Sequence, residues 1–126
     1  MIETPTPSPK VAILTASDRA AAGLYADASG PALQELITSA LGAEVCARHI
    51  LPDDREQLAA QLRAWADAGV EGSPLDLILV TGGTGFAPKD VTPEATRDVL
   101  DKEAPGLAEA MRMASLQRTP HAMLSR

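Results

Sequence analysis

Short apolar runs alternate with amphipathic stretches along most of the chain, and this alternation predicts its secondary structure. Lys10–Ala16 is a run of strand-forming residues closed by polar ones, as expected of a buried strand. Further strands are predicted at Val45–Leu51 and at Leu75–Val80, the most apolar of the three. Met123 and Leu124 have the composition to begin a fourth strand.

Between the strands, apolar residues recur at the three- and four-residue spacing of a helix face. Gly42 and Gly69 follow two of these stretches, where a helix end favours left-handed backbone. Thr92 and Pro93 predict a third helix, with the threonine as its cap and the proline at its first position. A polar loop is expected from Ser17 to about Ser29. The predicted helices are Gly30–Leu41, Arg55–Ala68, Thr92–Lys102 and Leu107–Gln117.

Strands that alternate with helices at this spacing indicate crossover connections and a parallel sheet. We therefore predict an α/β domain over residues 10–126, with a three-layer, doubly wound, mostly parallel sheet. Residues 1–9 are rich in proline and are expected to form a mobile lead-in.

Composition and charge exclude several classes of function. Eleven basic and 17 acidic residues give a net charge of −6, no basic cluster is present, and only 2% of residues are aromatic. This argues against nucleic-acid binding, which favours a basic surface with aromatic side chains. No segment approaches the ~20 apolar residues that cross a bilayer, and the first residues lack the apolar core of a secretory signal. With a single cysteine, Cys46, the chain is expected in the cytoplasm.

Three polar loops follow the predicted strands, and ligands of such sheets bind beyond the carboxyl ends of the strands. The third loop holds Gly82, Gly83 and Gly85, which allow a tight turn and close approach of a ligand to the backbone. Successive free N–H groups in such a turn form a concavity that binds anions. The loop is neither a Walker A motif nor GxGxxG, and a tight turn without a ligand remains the alternative.

Charged residues in these loops have two interpretations each. Asp53 and Asp90 either satisfy backbone N–H groups or act as carboxylates that hold Mg²⁺ near a bound phosphate. Ser17 and Asp18 either cap a turn or contact a nucleotide. Arg19 and Lys89 are either solvated or paired with phosphates.

The sequence from Thr81 to Thr96 resembles the MogA/MoaB family of molybdopterin adenylyltransferases and the homologous domain of gephyrin. It reads Thr-Gly-Gly-Thr-Gly, four further residues, then Asp-Val-Thr-Pro-Glu-Ala-Thr. Leu14–Arg19, Ile50–Asp53, Ala104–Gly106 and Leu124–Arg126 also match, so the resemblance covers about Val11 to Arg126.

This resemblance implies transfer of AMP from Mg-ATP to the terminal phosphate of molybdopterin, with release of pyrophosphate. It implies Mg²⁺ as cofactor, a homotrimer, and a molybdenum-insertion enzyme as a further partner. Asp53 and Asp90 match the aspartates tied to activity and are the candidate Mg²⁺ ligands. The implied substrate-binding and nucleotide-binding residues are Ser17, Asp18, Arg19, Gly82, Gly83, Thr84, Gly85, Lys89 and Thr92.

Family members continue past the position of Arg126 with a further strand and a Pro-Gly-x-Pro loop. The chain is therefore expected to lack the C-terminal portion of the family fold. Three alternatives stay open on the sequence: a non-catalytic molybdopterin-binding or trimeric scaffold module, another enzyme on the same fold, and a fragment without activity. The other enzymes are the related molybdenum-insertion domain and the CinA-type domain that acts on pyridine-nucleotide pyrophosphates.

Overall fold

A computed structural model describes residues 6–126, and its centre is a three-stranded parallel sheet. The strands are β1 (Lys10–Ala16), β2 (Glu44–Leu51) and β3 (Leu77–Thr81), in the order β2-β1-β3. Both pairings are parallel, which confirms the predicted α/β class. Residues 1–5 of the predicted lead-in lie outside the described part of the chain.

Five α-helices and one 3₁₀ helix connect and follow the strands within residues 6–126. Two of the boundaries follow directly from sequence. Asp54 caps α3 by accepting a hydrogen bond from the Gln57 N–H at 2.9 Å, and Gly42 ends α2 with a left-handed φ of 61°. The helices are α1 (Asp18–Ala21), α2 (Ser29–Leu41), α3 (Arg55–Ala68), α4 (Thr92–Arg97), α5 (Pro105–Leu116) and the 3₁₀ helix (Pro120–Leu124).

β1 is buried on both faces and separates two apolar clusters. Ala12, Leu14 and Ala16 pack on one face against residues of α3 and α4. Val11 and Ile13 pack on the other face against α2. Helices therefore cover both sides of the sheet, as the three-layer prediction requires, and β1 carries the first of the site loops at its carboxyl end.

Element ends shift by one or two residues from prediction, as in β3, which begins at Leu77 and not at Leu75, and four further local predictions differ from the structure. Ser17 caps the short helix α1 inside the expected polar loop. Helix α4 ends at Arg97 rather than near Lys102, because residues 98–100 tighten into a turn in which the Val99 N–H donates to Thr96. Thr92 is not a cap but the first residue of α4, where its hydroxyl donates to the Gly82 carbonyl at 2.7 Å.

The predicted start of a fourth strand at Met123 and Leu124 is also wrong. These residues lie in the 3₁₀ helix, which Pro120 begins and Thr119 caps by accepting a hydrogen bond from the His121 N–H. A proline at the first helical position and a capping hydroxyl favour a helical turn over an extended strand. None of the helices between residues 6 and 126 is long and apolar enough to cross a membrane.

Candidate functional site

The loops after β1 and β2 are joined by a reciprocal pair of hydrogen bonds between two aspartates. The Asp18 N–H donates to Asp53 Oδ2 at 3.1 Å, and the Asp53 N–H donates to Asp18 Oδ1 at 2.8 Å. The next residue, Asp54, caps α3, so the Asp53 side chain is not needed as a helix cap and can belong to the site. Two loops that lie 35 positions apart in sequence therefore meet at one rim of the sheet.

The glycine loop after β3 lies against the Asp53 side chain of this pair. Gly83 has a φ of +65°, and a Cβ there would come within 2.9 Å of Asp53 Oδ1 and still closer to the Thr92 hydroxyl. Only glycine fits this position, for conformation and for space. Asp53 Oδ1 itself is buried and has no hydrogen-bond partner among the described residues. An unpaired buried carboxylate oxygen costs about 1–3 kcal/mol, so Asp53 Oδ1 is an acceptor that a cation or another donor could satisfy.

The glycine loop also presents free backbone donors. Thr92 anchors the start of the loop: its N–H donates to the Gly83 carbonyl at 3.1 Å, and its hydroxyl donates to Gly82. Within residues 6–126, the N–H groups of Thr84, Gly85 and Phe86 donate to no other protein group. Three successive free donors in an exposed turn match the expected anion-binding concavity.

Asp90 closes the far end of the same loop. Its Oδ2 accepts a hydrogen bond from the Ala87 N–H at 3.0 Å, and a Cβ on Gly85 would lie 2.7 Å from that oxygen. The backbone-capping interpretation of Asp90 is therefore confirmed, and its carboxylate lies next to Gly85.

The remaining predicted residues divide into two groups. The Ser17 hydroxyl caps α1 by accepting from the Ala20 N–H at 3.2 Å, and the residue lines a cavity described below. Arg19, Thr84 and Lys89 are exposed, and their side chains make no hydrogen bond or ion pair within the described residues. The two cations are thus available to a bound anion.

Asp27 is a site residue that the sequence reasoning missed. It accepts hydrogen bonds from the Thr15 hydroxyl at 3.0 Å and from the Gly30 N–H at 3.1 Å. With Tyr25, Ser17 and Gly82 it lines a cavity of about 270 Å³ at the carboxyl end of β1. Asp27 directly precedes the N-cap residue Ala28, and the Asp-x-Ser-Gly-Pro sequence across the start of α2 is typical of a helix start.

A second, larger cavity of about 520 Å³ lies between β3, α4 and α5 and reaches Thr84, Thr92 and Arg126. Arg126 donates to Glu94 Oε1 at 2.6 Å. This guanidinium, through its hydrogen bond, holds the pKa of the Glu94 carboxyl below its ordinary value.

No group of three or more His, Cys, Asp and Glu side chains within residues 6–126 is arranged to hold a metal by itself. A divalent cation that keeps water and phosphate ligands needs only one or two carboxylates. The unpaired Oδ1 of Asp53 is a suitable hard oxygen donor, so the residues present fit Mg²⁺ that arrives with a nucleotide.

The family model described as "Probable molybdopterin binding domain" matches residues 12–126. Molybdopterin adenylyltransferase of Helicobacter pylori (strain J99) is 42% identical over 117 residues, which cover 92% of this chain. The molybdenum cofactor synthesis protein cinnamon of Drosophila melanogaster is 42% identical over 114 residues, covering 90% of the chain. A crystal structure of the molybdopterin biosynthesis enzyme MoaB of Thermus thermophilus superposes with a TM-score of 0.81 at 49% identity, over 93% of this chain and 70% of that one.

The chain spans only part of its curated relatives: 64% of the Helicobacter protein and 18% of cinnamon. The matched residues nevertheless include every loop of the site, from β1 to Arg126. The chain therefore belongs to the molybdopterin-binding domain family that also contains MogA and MoaB.

Proposed function

We propose that the chain binds molybdopterin and Mg-ATP and transfers AMP to the terminal phosphate of molybdopterin, releasing pyrophosphate. The observation that carries this proposal is the buried, unpaired Oδ1 of Asp53, which the reciprocal bonds with Asp18 hold against the glycine loop. Relatives with 41–42% identity are named molybdopterin adenylyltransferase, which supports the same assignment.

The proposed reaction is an in-line displacement at the α-phosphorus of ATP. An oxygen of the molybdopterin phosphate forms a new bond to this phosphorus, and the bond to the bridging oxygen of the β-phosphate breaks. Pyrophosphate leaves with the electron pair, and a phosphoanhydride remains. A phosphate monoester has a second pKa near ~6, so the nucleophile is largely a dianion at neutral pH and needs no strong base.

The main obstacle is charge, because two polyanions must meet in a chain of net charge −6. One like-charge pair at ~4 Å costs about 4 kcal/mol at an effective dielectric constant of 20. The free N–H groups of Thr84, Gly85 and Phe86 offer donors that need no reorganisation as charge develops. Arg19 in α1 and Lys89 in the loop after β3 are exposed cations and are proposed to face the phosphates.

Asp53 and Asp90 are the proposed catalytic carboxylates. They would hold Mg²⁺, which when bound neutralises phosphate charge. Their own part is to orient the phosphates relative to the glycine loop, not to remove a proton. Ser17, Asp18, Gly82, Gly83 and Thr92 are proposed to shape the pocket around them.

We further propose a homotrimer in the cytoplasm, with a molybdenum-insertion enzyme as a partner. Helix α5 has no buried residue, and Leu107 and Met111 are 72% and 71% exposed. These side chains lie four positions apart on one face and offer apolar area to a second copy. The mass in solution, measured by sedimentation equilibrium, decides the oligomeric state.

Replacing Asp90 by asparagine tests the catalytic assignment. The variant Asp90→Asn keeps an oxygen that accepts from the Ala87 N–H, so we expect an unchanged circular dichroism spectrum and melting temperature. Pyrophosphate release from Mg-ATP in the presence of molybdopterin should fall by about 100-fold or more, because a charged group that orients the transition state is lost.

The matched control is Asp101→Asn, which removes an exposed carboxylate outside the site and should leave turnover unchanged. Near-normal turnover of Asp90→Asn would contradict the assignment of Asp90. If the unmodified chain binds molybdopterin but releases no pyrophosphate, it is a binding module and the proposed transferase activity is wrong for it.

A further inference from the structure

Arg126 is held by four groups around the glycine loop, although it lies more than 30 positions away in sequence. Its Nε donates to the Gly85 carbonyl at 2.9 Å, and its Nη2 donates to the Asp90 carbonyl at 2.8 Å. Its Nη1 donates to Glu94 Oε1 at 2.6 Å, and the guanidinium carbon lies 5.3 Å from the centre of the Phe86 ring. The side chain is only 28% exposed.

These contacts tie together both ends of the segment that carries Asp90. Within residues 84–90, the internal hydrogen bonds join only Ala87 and Asp90 to each other. In the described part of the chain, every hydrogen bond from this segment to the rest of the protein comes from Arg126. Thr92 binds Gly82 and Gly83 just before and after this segment, and Arg126 alone holds residues 84–90 between them to the rest of the described protein.

The arrangement uses the geometry of arginine and not its charge alone. Two of the acceptors are neutral carbonyls, and all three nitrogens of the planar fork are occupied by protein groups. A lysine ammonium is a point charge on a flexible stem and cannot reproduce a three-point planar contact. Glu94 fixes the guanidinium from the α4 side, with a side chain that is 31% exposed.

We propose that Arg126 is a positioning residue that holds residues 85–90 in the shape that the site requires. It sets the Asp90 carboxylate and the free N–H groups of the loop without contacting the substrate itself. This rests on the proposed function for its effect on turnover, but its effect on the loop is independent of any activity. A direct contact between Arg126 and a substrate phosphate is the competing role.

The test compares Arg126→Lys and Arg126→Met with the control Arg118→Met. Arg118 is exposed, lies in the same C-terminal segment, and has no side-chain hydrogen bond within residues 6–126. The first measurement is amide hydrogen exchange by NMR at Ala87 and Asp90, whose N–H groups are bonded inside the loop. The reference is the N–H of Leu14 in β1, which lies in the sheet.

We expect exchange at Ala87 and Asp90 to accelerate by about tenfold or more in both Arg126 variants, with the Leu14 N–H and the control unchanged. The second measurement is pyrophosphate release from Mg-ATP with molybdopterin. Here kcat should fall by about tenfold or more in both variants while KM for Mg-ATP stays within about twofold, as expected when positioning in the transition state is lost.

Three outcomes would overturn the proposal. If Arg126→Lys had the exchange rates and the turnover of the wild type, a positive charge alone would be enough to hold the loop. A raised KM with unchanged exchange would assign Arg126 to a substrate phosphate. Faster exchange throughout the sheet would make it a general stabilising residue. If the unmodified chain has no turnover, the proposed function fails, while the exchange measurement still decides the role of Arg126.

Discussion

Asp18 and Asp53 each accept a hydrogen bond from the backbone N–H of the other, which fixes two loops with the side chains that also make the site. This arrangement occupies one oxygen of each carboxylate. The second oxygen of Asp53 stays buried and unpaired. Removing this oxygen from water lowers the stability of the fold unless a cation or another ligand contacts it. The same unpaired oxygen favours binding of such a ligand.

Gly83 is the residue whose replacement should disturb this arrangement most directly. In Gly83→Ala, the new Cβ meets Asp53 Oδ1 at 2.9 Å and the Thr92 hydroxyl, and the φ of +65° strains any other residue. We expect the free energy of unfolding to fall by about 1–3 kcal/mol, measured by urea denaturation.

Gly106→Ala is the matched control. Gly106 lies in α5, and nothing lies within 4 Å of the position of its added Cβ. We expect a gain of about 0.4–1 kcal/mol, because alanine restricts the unfolded chain. Equal unfolding midpoints for the two variants would contradict the structural role of Gly83.

Local signals in the sequence predicted where several of the candidate residues lie. Gly82, Gly83, Asp53 and Asp90 each follow a strand or precede a helix, and the structure places them at one rim. Arg126 has no such local signal, since two of its three hydrogen-bond acceptors are backbone carbonyls that any residue could supply. Its placement depends on how α5 and the 3₁₀ helix return to the loop, which no local pattern encodes.

At the scale of elements, α3 and α4 are joined by one two-point ion pair. Arg55 Nε and Nη2 donate to Asp98 Oδ2 and Oδ1 at 2.7 and 2.8 Å. Asp53 lies two positions before Arg55, and Thr92 begins α4. The pair therefore links the two helices whose first turns border the site.

This ion pair predicts a dependence of stability on pH. The hydrogen bonds from Arg55 hold the pKa of Asp98 below its ordinary value of 3.8. A lowered folded-state pKa gives stability that is present above 3.8 and is lost as the pH falls through the folded-state pKa. Asp98→Asn should thus lower the melting temperature slightly at neutral pH, and the difference should vanish in acid.

The measurement is the melting temperature from neutral pH to well below 3.8 for the wild type and Asp98→Asn. The effect is small because both side chains are solvent-exposed. Asp101→Asn is again the control, since its exposed carboxylate makes no ion pair among the described residues. A difference that persists unchanged in acid would show that the ion pair is not its cause.

Element boundaries were predictable where a local cap decides them. The bounds of α3 agree with prediction because Asp54 and Gly69 mark them. The C-terminal end of α4 and the 3₁₀ helix at Pro120–Leu124 differ from the prediction. Asp98 pairs with Arg55 from another helix, and Thr119 and Pro120 outweigh the strand propensity of Met123 and Leu124.

At the scale of the whole molecule, β1 organises both the core and the site. It is the central strand and pairs with β2 and β3 along most of its length. The alternation of strands and helices was sufficient to predict the parallel sheet, because crossover connections leave few other topologies. The same topology brings the carboxyl ends of all three strands to one rim, so the loops of the candidate site take their positions from the strands that flank and include β1.

Leu14→Ala tests this dependence on the central strand. Leu14 is fully buried and packs in the cluster that contains Leu58 and Leu62. We expect the free energy of unfolding, measured by urea titration with far-UV circular dichroism, to fall by about 2–5 kcal/mol. Leu36→Ala removes the same atoms from a side chain that is 59% exposed and should change stability by less than about 0.5 kcal/mol. Similar losses in the two variants would mean that β1 is not the centre of the core.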